Sequence, residues 1–121
     1  NKDIHITSAD KSLNSLIKNK ANEINIKLNT ANVLCNECFD SYIEDINTLL
    51  NRLPSEYNIT AAEMESFALF YTAKVLGKKA ACLVSVADLN FDNGAIHASV
   101  EEREKGLNNM IKLALESAIK I

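Results

Sequence analysis

The stretch Ala80–Ala87, AACLVSVA, decides how this chain is to be read. Only Ser85 interrupts its apolar character, and a run of this length bounded by polar residues predicts a strand buried on both faces in a parallel sheet. Such a sheet needs helices on its two sides, and the flanking sequence offers them. Upstream, Glu63–Gly77 (EMESFALFYTAKVLG) reads as a helix apolar over most of its circumference, with Gly77 as the natural left-handed residue past its end. It calls for cover on two sides, by the core and by another subunit. Downstream, Ser99 and Glu102 have the spacing of a capping box and open a long helix whose expected buried face carries Leu107, Met110, Ile111, Ala114 and Ala118.

Working further outward, Tyr57–Ala62 (YNITAA) reads as a short strand leading directly into the Glu63 helix. Ser41 and Glu44 form another capping-box pair, starting a helix with Ile43, Ile46, Leu50 and Leu53 on one side until Pro54 closes it. Ile26–Cys35 reads as a strand. Asp10–Glu23 reads as a helix with Ser8 as N-cap and Leu13, Leu16, Ile17 and Ile24 on a stripe that a sheet should cover. Helices and strands therefore alternate, which predicts an α/β layered fold with crossover helices on the sheet. In open α/β sheets ligands bind beyond the carboxyl ends of the strands. There stand Phe39, the group Glu63, Met64 and Glu65, and Asp88, which ends the buried run where the chain enters a polar loop, DLNFDNGAIHAS.

Composition narrows the function classes. With 121 residues and 47% hydrophobic content the chain can bury a single core. Thirteen basic against sixteen acidic residues leave a net charge of −3, without a basic stripe, so nucleic acid is not expected as a partner. No apolar run approaches the roughly 20 residues of a membrane span, and NKDIHITSAD lacks the pattern of a signal peptide, so a cytoplasmic protein without membrane partners is expected.

Each candidate has an ordinary structural explanation beside the functional one. Cys35 and Cys38 form a Cys-x-x-Cys pair, but the helix expected after them begins at Ser41, beyond the reach of a dipole that would activate a thiol. Zinc would want four ligands, and Cys82, His5 and His97 are scattered, so no metal is expected and the thiols are read as reduced. His5 and His97 are read as structural or exposed. Glu63 and Glu65 straddle a helix start, where the dipole favours acidic residues by about 0.3–1 kcal/mol each. Phe39 could be core, and Asp88 could simply bond loop amides.

Taken together, AEMESFALF, the run ending in SVAD, and EEREKGLNNMIKLALES give the chain a resemblance to the C-terminal half of bacterial-type, hexameric purine nucleoside phosphorylases. The resemblance runs from about Asp10 to the last helix. It implies a three-layer α/β/α phosphorylase-like fold with a mixed, largely buried sheet, residues 1–121 being the C-terminal half of one domain, and a homo-oligomer, a hexamer by analogy. It also implies reversible phosphorolysis of purine nucleosides with inorganic phosphate as co-substrate and no cofactor.

By the same resemblance Phe39 would pack against the purine, Glu65 would accept hydrogen bonds from sugar hydroxyls beside Glu63, and Met64 would lie against the sugar. Asp88 would protonate N7 of the departing base, and Arg103 would approach it as the site closes. An arginine beside a carboxyl favours its ionised form, so Arg103 is expected to arrive late. Ala87 stands beside the base where the family usually has serine, and the loop between Asp88 and Arg103 is about two residues longer than usual. Arg52 and Arg103 are the chain's only arginines, too few for a phosphate cradle, so the 121 residues alone are expected to be weak or inactive. The alternatives are a related nucleosidase using water, a uridine phosphorylase, or a non-catalytic fragment.

Overall fold

The computed structural model describes residues 5–37, 48, 51–91 and 94–121. Its elements are α1 (Lys11–Glu23), β1 (Asn32–Cys35), a 3₁₀ turn (Ser55–Tyr57), β2 (Ile59–Glu63), α2 (Ser66–Val75), β3 (Asp88–Phe91), β4 (Gly94–His97) and α3 (Val100–Ala118). Helices and small sheets make the chain α/β. It divides into two compact units, one formed by Asn1–Ala9 with Asn29–Ala80, the other by Asp10–Leu28 with Ala81–Ile121. Most of the helix expected over 41–53, together with Cys38 and Phe39, lies outside the described residues.

In the first unit β1 and β2 pair in parallel, with Cys35 opposite Glu63, as the crossover order predicts. Asn58, left-handed at φ 44°, turns the chain from the 3₁₀ turn into β2, a conformation asparagine tolerates better than most residues. The helix after β2 begins at Ser66, later than Glu63, because the intervening residues form a turn tied by the Glu63 carboxylate. Its end follows expectation. Gly77 at φ 63° donates to the Lys74 carbonyl at 3.2 Å, and Lys78 donates to Ala73 at 2.8 Å, the two bonds of a Schellman motif. The apolar circumference of α2 is largely uncovered within the chain, with Leu69, Tyr71 and Val75 exposed.

In the second unit α1 packs on α3, so a helix rather than the expected sheet covers α1. The N-cap of α1 is Asp10, not Ser8: Asp10 Oδ1 accepts the Leu13 amide at 2.9 Å, satisfying a backbone donor of the first turn. Asn25, at φ 56°, closes the helix with a second Schellman pair, donating to Asn22 while Ile26 donates to Ala21. Lys20 is buried and its ammonium meets Glu23 at 2.7 Å.

The capping box of α3 is complete. Glu102 N–H donates to Ser99 Oγ at 3.2 Å, and Ser99 N–H to Glu102 Oε2 at 2.8 Å. The buried face of α3 is rotated from the expected one. Leu113, 1% exposed, and Ser117 are buried and Gly106 and Met110 half-buried, whereas Leu107 and Ile111 are exposed. Positions 106, 110, 113 and 117 form one helical stripe, and the close approach to the rest of the unit is made at Gly106, where a Cβ would collide with Ser85 Oγ.

The run that carries Ser85 shows the largest departure from expectation. Residues 81–87 form no strand. Ala81, Leu83 and Ser85 are half-buried, while Val84 and Val86 are 56% and 63% exposed. A strand buried on both faces needs a layer on each side and a hydrogen-bonding neighbour along its edges. Among the described residues of this unit, packing reaches only one side, so the run is covered on one face and the largely buried sheet is not found. The described strands instead make two separate pairs, β1–β2 parallel and β3–β4 antiparallel. The polar loop expected after Asp88 is the β3–β4 hairpin, in which Asp88 faces His97 and Phe91 faces Gly94.

Candidate active site

The expected site residues divide between the two units. Glu63, Met64 and Glu65 lie at the β2–α2 turn of the first, Ala87, Asp88 and Arg103 in the second, and Phe39 lies outside the described residues.

At the β2–α2 turn, Glu63 is the organising group. Its Oε2 accepts the amides of Glu65 at 2.9 Å and Ser66 at 2.6 Å, and its Oε1 accepts the Ser66 hydroxyl at 2.6 Å. A carboxylate here satisfies donors that a helix start leaves open and faces the positive end of the helix dipole. Burial pushes the Glu63 carboxyl up, but the bonds from the Ser66 hydroxyl, the Glu65 and Ser66 amides and Cys35 outweigh it and hold it below its ordinary 4.5. Both oxygens of Glu63 are therefore engaged with the protein. Glu65 is exposed, and among the described residues its Oε2 has only a long contact, 3.3 Å, from the Met64 amide. Of the two glutamates, Glu65 is the one whose acceptors are open among the described residues, with Met64 exposed beside it.

Cys35, opposite Glu63 in the ladder, sits against the same turn. Burial raises its thiol above the ordinary value; a bond from the Phe67 backbone works against this, and the thiol's bond to Glu63 adds to the rise. A redox cysteine needs the reverse, a thiol readily ionised. His5 is exposed, its ring centroid 6.4 Å from that of Phe67, which stacks on Tyr71 at 5.9 Å. Among the described residues no three His, Cys, Asp or Glu side chains are grouped to hold a metal ion, and no helix is long and apolar enough to cross a membrane.

In the second unit, Asp88 Oδ1 lies 3.3 Å from Arg103 Nη2 and 2.7 Å from His97 Nδ1. Three local devices build this cluster. The hairpin register sets Asp88 opposite His97, and the Ala98 amide extends the pairing to the Ala87 carbonyl at 2.9 Å. The capping box fixes the first turn of α3, from which Arg103 projects. Arg103 Nε in turn donates to the Ala98 carbonyl at 3.1 Å, which aims the guanidinium back along the hairpin.

Arg103 thus stands at Asp88 already, where a late approach was expected. The side chains of Asp88, Arg103 and His97 are 36%, 47% and 69% exposed, so the cluster is open to a ligand from solvent. His97, expected to be structural or exposed, is exposed and in addition pairs with Asp88. The sequence signal that could have found it is the turn-prone composition of Asp92-Asn93-Gly94, from which counting outward in two directions pairs Asp88 with His97.

Residues 1–120 match the sequence profile of the Phosphorylase superfamily. The chain belongs to that superfamily. Within it, the chain is 31% identical over 113 residues to the purine nucleoside phosphorylase DeoD-type of Mycoplasma pneumoniae, an alignment covering 93% of this chain and 45% of the relative. It is 31% identical over 102 residues to the purine nucleoside phosphorylase DeoD-type 2 of Aliivibrio fischeri, covering 84% of this chain and 41% of that protein. Over 64 residues it is 42% identical to the DeoD-type enzyme of Limosilactobacillus reuteri, covering 53% of this chain and 26% of the relative. The chain therefore spans less than half the length of these relatives.

Proposed function

We propose that these residues are the base-, ribose- and proton-handling part of a purine nucleoside phosphorylase, which reversibly converts purine (deoxy)ribonucleosides and phosphate to free base and (deoxy)ribose 1-phosphate. The observation that carries the reading is the Asp88–Arg103 pair at 3.3 Å, a carboxyl beside a held cation, in a chain whose relatives are purine nucleoside phosphorylases.

Breaking the glycosidic bond leaves its electron pair on the base, so the base must gain a proton as it departs. Asp88 gives its proton to N7, the bond from the sugar to the base breaks, a phosphate oxygen bonds to the sugar carbon, and the Asp88 carboxylate that remains faces Arg103. Arg103 beside Asp88 favours the carboxylate that this step produces, which draws the proton toward the base. Glu65, whose acceptors are open, takes the sugar hydroxyls with Met64 against the ring; Glu63 holds the turn that presents them. Phe39 and Ala87 border the base. Phosphate is the co-substrate, and no cofactor is involved. The proposal includes a three-layer α/β/α domain of which this chain is the C-terminal half, in a cytoplasmic homo-oligomer, a hexamer by analogy. The exposed apolar side chains of α2 support a further packing layer or subunit there.

The test is cleavage of inosine and adenosine by the chain at its full encoded length, with and without phosphate. Phosphate-dependent release of base and ribose 1-phosphate is expected. Equal cleavage in water would make the protein a nucleosidase, and preference for uridine would overturn the purine reading.

A further inference from the structure

We propose that His97 is a positioning residue for Asp88, holding the carboxyl by one oxygen so that the other is presented with its proton to the departing base. The inference rests on the phosphorylase reading above and adds to it a residue outside the family motif quoted for this chain.

Both donors on Asp88 reach the same atom. His97 Nδ1 stands 2.7 Å and Arg103 Nη2 3.3 Å from Oδ1, and among the described residues no hydrogen bond is made to Oδ2. This leaves Oδ2 as the oxygen from which the proposed proton transfer to the base takes place. Because Arg103 also donates to Oδ1, that oxygen acts as an acceptor, and the imidazole carries its hydrogen on Nδ1.

The two bonds differ in quality. A 2.7 Å contact to a carboxyl oxygen is a short, strong hydrogen bond, while 3.3 Å is near the outer limit for one. His97 therefore does more to fix the rotamer of Asp88 than Arg103 does. The hairpin supports it: Asp88 and His97 are direct partners in the ladder, with the Ala98–Ala87 backbone bond next to them. The roles then separate. His97 aims the acid before transfer, and Arg103 receives the charge after it.

The experiment uses the chain at its full encoded length and compares His97→Leu with His97→Asn, whose side-chain amide keeps a donor near the place of Nδ1. Losing one hydrogen bond to a charged group predicts that His97→Leu lowers kcat by about 10- to 100-fold with KM for inosine little changed. His97→Asn should recover most of that loss. Nitrogen NMR of the ring should show the Nδ1–H tautomer in the unmodified protein and its loss in Asp88→Ala.

An unchanged kcat in His97→Leu, failure of His97→Asn to recover activity, or an Nε2–H tautomer overturns the inference while the activity reading stands. No phosphate-dependent turnover by the unmodified chain overturns the activity reading and this inference with it.

Discussion

Glu63 and Asp88 are both carboxylates at the end of a β-strand, and they are held in opposite ways. Three of the donors to Glu63 at the β2–α2 turn come from two or three residues away, two of them backbone amides and the third a hydroxyl of the turn itself, and the Cys35 thiol adds a bond from across the ladder. Among the described residues the side-chain partners of Asp88 come from nine and fifteen residues away. One carboxylate completes the backbone of its own turn. The other is gripped by groups that a hairpin and a helix cap bring to it. A carboxylate held mostly by its own turn serves stability, while one gripped on a single oxygen by distant side chains has, among the described residues, its other oxygen without a hydrogen bond.

Substitution separates the two. Asp88→Ala should have the largest effect, reducing kcat for inosine by about 100- to 10,000-fold, the usual range for removing a general acid. The same change should cost little stability, since exposed ion pairs contribute about 0–1 kcal/mol. A comparable loss in binding and in turnover would mean that Asp88 only holds the base.

Glu63→Ala should reverse the pattern, lowering unfolding free energy by about 1–3 kcal/mol because the buried Ser66 and the turn amides lose their acceptor. Denaturant unfolding measures it, and a neutral result would break the contrast between the two carboxylates. The Glu63 contribution also has a pH signature. Its carboxyl is held below 4.5 in the folded chain. The stabilisation is therefore fully present above the unfolded value and is lost as pH falls through the folded one. The stability difference between the unmodified protein and Glu63→Gln should shrink as pH drops below about 4.5, and a gap constant from pH 7 to pH 3 would show that Glu63 does not titrate as argued.

The smallest effect belongs to the device beneath Asp88. Ser99→Ala removes half of the capping box that starts α3 and should cost about 1 kcal/mol. If Arg103 depends on that first turn for its aim, kcat should fall modestly as well. Unchanged kcat with lowered stability would place the aim of Arg103 in its bond to the Ala98 carbonyl alone.

Features set within a few residues were legible in the sequence. The capping box at Ser99 and Glu102 and the left-handed Gly77 follow from spacing because the groups that satisfy a helix end are its near neighbours. Even there the cap of α1 expected at Ser8 is not the one used: Asp10 holds the position because its carboxylate reaches the Leu13 amide. The family was legible as well, from short motifs in a fixed order, and the match over residues 1–120 bears that out.

Distant pairings were harder. The apolar run at 80–87 implied two covered faces, yet composition cannot say whether neighbours are there to cover them. The buried stripe of α3 turned toward Gly106 and Leu113 because a missing Cβ allows closer packing than a larger apolar side chain would.

By itself, then, the sequence determined the capping box of α3 and the left-handed Gly77, the parallel crossover of β1 and β2, the superfamily, and the residue types on which the chemistry is proposed to depend. Only the tertiary structure decided that Asp88 meets His97 as well as Arg103, that Glu63 is turned inward, and which face of α3 is buried. The physical reason is range. Hydrogen bonds that close a helix end span three or four residues and leave a pattern in the sequence, whereas the partners of Asp88 are chosen by the register of a hairpin and the start of a helix, which arise only once the chain has folded.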